Sequence, residues 1–430
     1  MMPSEIRQRV TILRNSAVGR VGRGVGKNTL MDSSANYYNT VFPVEPIWNL
    51  LSARCSRKPE AREYACELEI GDGTIWKRYE SCKSPEELRR VVTGTRFKAL
   101  HIGPTFSEAA SCARRPGVSV QGKELVFDLD LQDVAWFDVD KSNQVANDRY
   151  VRATFASCAV LVAILREMMG FEHFLPVYSG RRGVHLWVLD QRCFDWTDAE
   201  RGALCAFIAG VASKKDPEVI LTHHILTNPS FGPVVWAAVE KAKCTLLAPF
   251  ASGGVGLLDK PKDVARFVKK LLDVNVDAKF QGGKDRIVAL VNCAVTGRTG
   301  EDAFTRLADV VKTNAFWENR LRDVVLSLTW PVLDIAATAK TNHCTKSIFS
   351  LHAKTGRVAV PVNRLFATPT YTLPPVVTPD QIGVQGTESA KRFEEGVALL
   401  VRAHRMVARR DLQVDMEDLV PPPPKKKMCV

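Results

Sequence analysis

The sequence predicts an α/β protein of the mixed α+β type, with a mainly helical subdomain inserted into the unit that contains the strands. Three observations predict this class. Short apolar runs typical of strands alternate with segments whose apolar residues recur at helical spacing. Residues 192–325 carry almost only helical patterns, and a strand-like run returns after them. We therefore expect 31–191 and 326–380 to form one α/β domain around this helical insert.

Each predicted element has a local signal. The strand-like runs are 64–68, 125–129, 175–178, 184–189 and 357–362. Residues 151–169 are apolar at helical spacing and stop at Gly170, a residue type that readily adopts the left-handed conformation at a helix end. Thr197 and Glu200 form a capping box before the apolar residues 204–211, because each side chain accepts a bond from an otherwise unpaired amide. Two more amphipathic helices are predicted at 263–272 and 389–407.

Both ends of the chain are predicted to lie outside the α/β domain. Residues 1–30 carry six Arg or Lys against one acid and lack the apolar stretch of a secretory signal. We expect a basic flexible arm there, with a mitochondrial presequence as the weaker alternative. Residues 381–430 combine a helix with a proline run and a lysine block at 425–427. They are expected to form a C-terminal helix and a solvated Pro/Lys tail, or more weakly a nuclear-import signal.

Composition excludes several classes of protein. The 430 residues are 46% hydrophobic and 25% charged, which excludes a disordered chain, a collagen-like repeat or a coiled coil. The longest apolar stretch, 156–165, is shorter than the roughly 20 residues of a membrane span, so no membrane association is expected. Lys and Arg number 59 against 47 Asp and Glu. The resulting charge of +12 favours a polyanionic partner without identifying it.

Two aspartates close the strand-like run Glu124-Leu-Val-Phe-Asp128-Leu-Asp130. Residues two apart in a strand share a face, so the carboxylates of Asp128 and Asp130 are expected side by side. Two anions at that distance repel unless a cation lies between them, as in oxygen-rich Mg²⁺ or Mn²⁺ sites. The alternative for an isolated Asp-x-Asp is a solvated strand end. A second copy, Asp138-Val-Asp140, has a poorer apolar lead-in and is predicted to be loop.

A glycine-rich turn, Ser179-Gly-Arg181-Arg182-Gly183, leads into a predicted strand that bears His185. Glycines let the backbone approach a ligand, and arginines pair with phosphate oxygens through two hydrogen bonds. Serine and histidine donate further hydrogen bonds, so the turn suits a triphosphate. The alternative is a basic β-turn with a core histidine.

A second polar segment follows the helical insert. Asp334 is succeeded by Lys346, His352 and Arg357, again a carboxylate followed by cations and hydrogen-bond donors that suit phosphates. Taken alone, a single aspartate and a basic loop are also compatible with a purely structural role.

Taken together and in order, these segments resemble the catalytic small subunit of eukaryotic and archaeal DNA primases. The motifs that carry the likeness are Tyr37-Tyr38-Asn-Thr-Val-Phe42-Pro43, Arg62-Glu63-Tyr64-Ala65, Lys77-Arg78-Tyr79, Ile102-Gly103, the 124–130 and 179–185 motifs, Leu333-Asp334-Ile335 and the block 342–357. The last block is particularly close to the eukaryotic subunit. The ordered set is stronger than any single motif.

The resemblance implies a primase catalytic fold whose helical subdomain is inserted between the 179–185 motif and the third aspartate. It implies that two divalent ions, Mg²⁺ or Mn²⁺, are bound by the catalytic residues Asp128, Asp130 and Asp334. It assigns the incoming triphosphate to nucleotide-binding side chains, which are Ser179, Arg181, Arg182, His185, Lys346 and His352, with Glu63 and Arg78 in support.

Two departures from the family pattern matter. Relatives usually carry a cysteine-rich zinc site shortly after the Asp-x-Asp motif, whereas 134–154 contains no cysteine here. The 11 cysteines of the chain include no Cys-x2-4-Cys pair, so no bound zinc is predicted. Family members also often have an acid before the Ile-Gly step, near the nucleotide sugar, where this chain has His101. Ribose recognition is therefore left open.

By resemblance, we expect a DNA-directed RNA polymerase of the primase type that makes short RNA primers on a single-stranded DNA template from ribonucleoside triphosphates. The expected partners are an iron–sulfur large primase subunit and the DNA polymerase α complex, and the expected location is the nucleus, with the mitochondrion as the weaker alternative. One alternative function is a primase-polymerase that prefers deoxynucleotides, in repair or an organelle. Another is an inactive nucleic-acid-binding scaffold, which a lost carboxylate would mark; all three are present.

Overall fold

The computed structural model describes residues 27–55, 58–71, 73–130, 144–209, 229–230, 232–274, 281–367, 373–382 and 384–409. Over these ranges the chain forms 13 helices and nine strands in two antiparallel sheets. The predicted mixed α/β class is confirmed. Residues 1–26 of the predicted basic arm, the second Asp-x-Asp motif and the Pro/Lys tail lie outside the described residues. Residues 27–30, which were expected to belong to the flexible arm, instead begin the first helix.

The strands are β1 (Arg62–Ile70), β2 (Gly73–Glu80), β3 (Phe97–Phe106), β4 (Val120–Gly122), β5 (Leu125–Asp130), β6 (Phe174–Tyr178), β7 (Gly183–Val188), β8 (Thr345–Lys346) and β9 (Val360–Pro361). The helices are α1 (Lys27–Thr40), α2 (Val44–Ser52), α3 (Pro85–Val92), α4 (Gln144–Met169), α5 (Asp198–Ala209), α6 (Gly232–Leu247), α7 (Pro261–Leu272), α8 (Gln281–Val295), α9 (Gly300–Val311), α10 (Ala315–Thr329), α11 (Ile335–Ala339), α12 (Pro379–Ile382) and α13 (Glu388–Arg409).

Each sheet includes a strand that follows the helical insert. In the first sheet β2, β1 and β3 are neighbours, and both β4 and β8 pair with β3. The second sheet has the order β5-β7-β6-β9. Because β8 and β9 come after the insert, the chain returns to the same α/β domain once the helices are complete.

The core is one continuous apolar cluster that extends from the α/β domain into the insert. Helix α4 lies at its centre, where it packs on β7 and α6. The whole apolar stretch 156–165 is buried, and this includes its one polar residue, Ser157. This burial explains the longest apolar run of the sequence. In the described part of the chain no helix combines the length and apolarity that a membrane span requires.

Several local predictions are confirmed with small shifts in their ends. Helix α4 ends at Met169 and is followed by Gly170 with φ = 60°. The capping box forms, since Thr197 N–H donates to Glu200 Oε2 (2.7 Å) and Glu200 N–H donates to Thr197 Oγ1 (3.3 Å). The helix it begins is α5, which ends before residues 210–211, outside the described ranges.

Other elements differ from the prediction. The run 357–362 forms a ladder over two residues, Val360–Pro361, with an isolated bridge at Val358. Strands β2 and β3 were not predicted: β2 is an edge strand with mostly exposed residues, and β3 is buried along nearly its whole length, so neither shows simple alternation. Helix α10 continues to Thr329, four residues past the expected end of the insert.

Candidate active site

The two aspartates of the Asp-x-Asp motif lie at the end of β5. Asp128 pairs with His185 of β7 and Asp130 pairs with Gly183, so both stand next to the turn that joins β6 to β7. The His185 Nε2 atom lies 3.7 Å from Asp128 Oδ1. Glycine is required at 183 because a Cβ there would lie 2.4 Å from the Leu129 carbonyl oxygen. The ladder of the second sheet therefore brings the acidic motif to the glycine-rich turn.

Asp334 reaches the same place from beyond the helical insert. Its backbone N–H donates to the Asp128 carbonyl oxygen (3.0 Å). Its Oδ1 accepts from the Ala337 N–H (3.0 Å) and so caps helix α11. The pKa of Asp128 is raised to about 6, chiefly by burial and then by repulsion from the carboxylates of Asp130 and Asp334. Three carboxylates therefore act on one another, and a bound cation would relieve their repulsion.

The donor chemistry of this cluster fits a hard divalent cation. Carboxylate oxygens are the ligands that Mg²⁺ and Mn²⁺ prefer. Within the described ranges, no group of three or more His, Cys, Asp or Glu side chains is gathered closely enough to hold a metal ion. Magnesium commonly takes one or two protein carboxylates and completes its shell with water and substrate phosphates. The residues thus fit a metal ion that binds together with a phosphate ligand. The absence of zinc stays a prediction, since residues 131–143 are outside those ranges.

The turn between β6 and β7 is held by its own serine. Ser179 N–H donates to the Gly183 carbonyl oxygen (3.0 Å). The Ser179 Oγ accepts from the N–H groups of Gly183 (3.1 Å) and Arg181 (3.4 Å). Gly180 has φ = 86°, and a Cβ there would lie 2.9 Å from the Arg357 carbonyl oxygen. Only glycine fits such a close approach, so the 352–357 loop packs directly on the turn.

A cavity lies between the two sheets, and Asp128, Asp130 and Ser179 line it. The two arginines of the turn do not line this cavity. Arg182 is 4% exposed, and its Nη2 lies 3.2 Å from Asp130 Oδ2. It therefore joins the turn to the Asp-x-Asp motif. Arg181 is partly buried beside it, and burial followed by repulsion from Arg182 lowers the pKa of Arg181. Sequence reasoning expected both guanidinium groups on the triphosphate, and that role stays a prediction.

Three other predicted side chains do line the cavity. Lys346 Nζ donates to the Ser179 carbonyl oxygen (3.2 Å), and burial lowers the pKa of Lys346 to about 8. Burial lowers the pKa of His185 to about 3, and burial together with the charge of Lys346 lowers the pKa of His352. Both imidazoles are therefore neutral near pH 7 and each has one N–H to donate. A half-buried ammonium group beside neutral donors suits the oxygens of a triphosphate.

Glu63 acts on the cavity through Arg78. Glu63 is fully buried and does not line the cavity. Its two oxygens accept from Arg78 Nε (2.8 Å) and Nη2 (2.9 Å), and its Oε1 also accepts from the Tyr79 N–H (3.1 Å). Arg78 Nη2 donates to the Asn342 carbonyl oxygen (3.0 Å) as well. Tyr79 has φ = 66° at a bulge of β2, so the strand is bent where Arg78 turns towards the cavity.

Most of these groups line one cavity of about 600 Å³ between the two sheets. Seven of the predicted site residues line it, and these are Arg78, Asp128, Asp130, Ser179, His185, Lys346 and His352. Four predicted residues do not line it, and these are Glu63, Arg181, Arg182 and Asp334. Each of the four contacts the side chain or the backbone of a residue that does line the cavity.

Sequence reasoning missed several lining residues. Those without a predicted role are Trp76, Val126, Ala337, Asn342, His343, Cys344 and Thr345. Trp76 lies two residues before Arg78, so alternation in a strand would have placed both on one face. Lys123 was also missed: its Nζ donates to Thr345 Oγ1 (3.0 Å) and to the His343 carbonyl oxygen, which fixes the loop before β8.

The comparison with protein families agrees with this geometry. The family model described as DNA primase small subunit matches residues 127–364. The chain belongs to this family. The matched span includes all three aspartates and every residue expected at the triphosphate except the supporting pair Glu63 and Arg78. The two antiparallel sheets and the helices agree with the fold expected of the family.

Curated relatives with the same description match this chain over most of their own length. The DNA primase small subunit of Saccharomyces cerevisiae is 24% identical over 360 residues, which cover 77% of this chain and 81% of the relative. That of Drosophila melanogaster is 26% identical over 355 residues, with 77% and 76% covered. That of Schizosaccharomyces pombe is 27% identical over 354 residues, with 77% and 73% covered. The resemblance read from the motifs is confirmed.

Proposed function

We propose that this protein is the catalytic subunit of a DNA primase, which makes short RNA primers on single-stranded DNA. One observation carries the proposal: the carboxylates of Asp128 and Asp130 line the same cavity as Ser179, Lys346 and His352, so that acidic and phosphate-binding groups meet in one space. Membership of the primase small subunit family supports the same activity.

The chemistry needs positioning and charge neutralisation more than a covalent nucleophile. The 3′-hydroxyl of one nucleotide loses its proton to solvent, and its oxygen forms a bond to the α-phosphorus of the next nucleotide. The bond from that phosphorus to the oxygen bridging the α- and β-phosphates breaks, and pyrophosphate leaves with the electron pair. Two Mg²⁺ or Mn²⁺ ions, held by Asp128, Asp130 and Asp334, would neutralise charge and orient the attacking and leaving oxygens. Lys346 and Arg78 add positive charge around the triphosphate, and the neutral imidazoles donate hydrogen bonds.

The proposal extends to partners and location. We infer an iron–sulfur large subunit and the DNA polymerase α complex as partners, and the nucleus as the place of action. The net charge of +12 supports binding to template phosphates. Such binding should weaken as salt rises, because counterions are released when phosphates are neutralised.

A primase-polymerase that prefers deoxynucleotides is the second candidate. His101 lines the cavity, and its Nε2 lies 3.8 Å from Glu67 Oε2. An imidazole offers a 2′-hydroxyl different hydrogen-bonding partners from the acid that the resemblance leads us to expect at this position. Comparing ribonucleotide with deoxynucleotide incorporation separates the two candidates.

The test is template-dependent primer synthesis on single-stranded DNA with Mg²⁺ or Mn²⁺, with and without the large subunit. The decisive variant is Asp128→Ala with Asp130→Ala. Its matched control is Asp302→Ala with Asp309→Ala, which removes two exposed carboxylates of helix α9. We expect RNA product from the wild type and the control, and none from the decisive variant.

Each other outcome removes a different part of the proposal. Equal product from the decisive variant and the wild type contradicts the metal assignment. A product made mainly of deoxynucleotides favours the second candidate. If the wild type makes no product in either setting, the result contradicts the proposed activity and favours the alternative of an inactive nucleic-acid-binding scaffold.

A further inference from the structure

One cavity residue has chemistry unlike the rest of the lining. Trp76 is 52% exposed, although it is a large apolar side chain on an edge strand. The other exposed aromatic side chains of the described residues, Phe207, Phe250 and Phe316, do not line the cavity. Exposed apolar surface at the wall of a polar cavity commonly marks a place where a ligand packs.

The indole lies across the cavity face of the first sheet. Trp76 pairs with Glu67 of β1, yet its ring centroid lies 4.3 Å from that of His101 on β3. Because β1 lies between β2 and β3, the indole crosses β1 to reach His101. His101 in turn pairs with Lys346 of β8. Trp76, His101 and Lys346 therefore form the floor of the cavity. The indole lies at one end of this floor, and the lysine that contacts the glycine-rich turn lies at the other.

The two ends of this floor suit different parts of one ligand. Lys346, Ser179 and His352 supply a charge and hydrogen-bond donors, which phosphate oxygens require. An indole carries no charge and has one N–H donor, so it gains little from a phosphate. It gains from a flat apolar surface such as a nucleobase, or from the carbon face of a sugar.

We propose that Trp76 packs against the nucleoside part of the incoming nucleotide, as a binding and positioning residue that the triphosphate-binding groups do not replace. This inference rests on the proposed function, since it takes the ligand of the cavity to be a nucleoside triphosphate. The flat contact is tolerant of sequence, because every base has a π-face. A larger purine ring should gain more than a pyrimidine.

The test compares two probes that share only the phosphate chain. Binding of ATP and of inorganic tripolyphosphate to the full chain is measured by calorimetry with Mg²⁺ for the wild type and three variants. Trp76→Ala should weaken ATP binding roughly 5- to 150-fold and leave tripolyphosphate binding unchanged. Lys346→Ala should weaken both probes. Trp76→Phe should retain most of the ATP affinity, because it keeps an aromatic face.

Ile75 provides the matched control. It precedes Trp76 on the same edge strand and is 46% exposed, but it does not line the cavity, since alternate residues of a strand point to opposite faces. Ile75→Ala should change neither affinity. Circular dichroism checks that every variant is folded.

The outcomes distinguish this inference from the proposed function. If Trp76→Ala weakens both probes equally, Trp76 supports the cavity structurally, and the inference is wrong. If it weakens neither while the wild type binds both, the inference alone is wrong. If the folded wild type binds neither probe, both the proposed function and the inference are wrong.

Discussion

The two walls of the cavity are built by different means. In the second sheet, the ladder itself fixes the functional groups, since Asp128 and His185 are directly paired within the continuous ladder of β5 and β7. In the first sheet, side chains fix one another: Glu63 holds Arg78 through two hydrogen bonds, and the indole of Trp76 lies against His101. A wall fixed by its backbone should tolerate the loss of one side chain better than a wall fixed by side-chain pairs.

A buried ion pair joins these walls. Arg62 of β1 donates to both oxygens of Glu124, the residue just before β5, at 2.8 and 2.9 Å. The two side chains are 0% and 2% exposed. Arg62 also donates to the Gly103 carbonyl oxygen (3.2 Å). The pair therefore sets how the first sheet meets the second.

The largest effect on stability is expected from Arg62→Ala. Removing one partner of a buried ion pair leaves the other charge buried, which costs about 3–5 kcal/mol of unfolding free energy. Denaturant unfolding measures the loss. Arg298→Ala is the matched control, because the exposed pair of Arg298 with Asp302 should contribute about 1 kcal/mol or less. A loss of that small size for Arg62→Ala would show that the pair does not hold the walls together.

Asp334→Asn separates charge from structure at the third carboxylate. Asparagine caps a helix about as well as aspartate, so helix α11 and the melting temperature should change little. The charge is lost, and primer synthesis should fall about 10²- to 10³-fold, the size of effect seen when one preorganised electrostatic group is removed. Activity assays measure the loss of primer synthesis, and thermal melts check that the melting temperature is unchanged. If the Asp334→Asn variant is fully active, the charge of Asp334 has no part in catalysis, and the residue serves only as the cap of helix α11.

Glu63→Gln tests whether the first wall works through side-chain pairs. Hydrogen bonds to charged groups contribute about 1.5–3 kcal/mol, so loosening Arg78 should raise the KM for nucleotide roughly 10-fold with a smaller effect on kcat. Because Glu63 does not line the cavity, the variant with both Glu63→Gln and Arg78→Ala should be no worse than Arg78→Ala alone. Additive losses in this double-mutant cycle would give Glu63 a role apart from Arg78.

A separate effect, on stability alone, is expected from crowding at the turn of the second wall. Gly180→Ala should cost about 1–3 kcal/mol of unfolding free energy, because a Cβ there lies 2.9 Å from the Arg357 carbonyl oxygen and φ is 86°. Gly117→Ala is the control, since Gly117 has φ = 84° but no neighbour within 4 Å. The difference between the two losses measures crowding alone. Equal losses would mean that the 352–357 loop yields without cost.

The second wall was largely predictable and the first was not. The Asp-x-Asp motif, the glycine-rich turn and the strand with His185 are contiguous in the chain, so strand periodicity and turn chemistry predict their neighbours. The first wall combines Trp76, His101 and Lys346 from three strands, one of which follows the helical insert. Neither β2 nor β3 shows the alternation that would predict it. Its composition therefore depends on a sheet order that local patterns do not encode.

The sequence by itself determined the local geometry and the inventory of chemical groups: two carboxylates on one strand face, a serine and glycines in a turn, a capping box, and cations enough for a triphosphate. The tertiary structure decided which groups meet. It turned Arg182 towards Asp130 and Arg78 towards the cavity, and it placed Trp76 over His101. Propensity acts over a few residues, whereas the direction of a long side chain is set by whatever distant strand packs beside it.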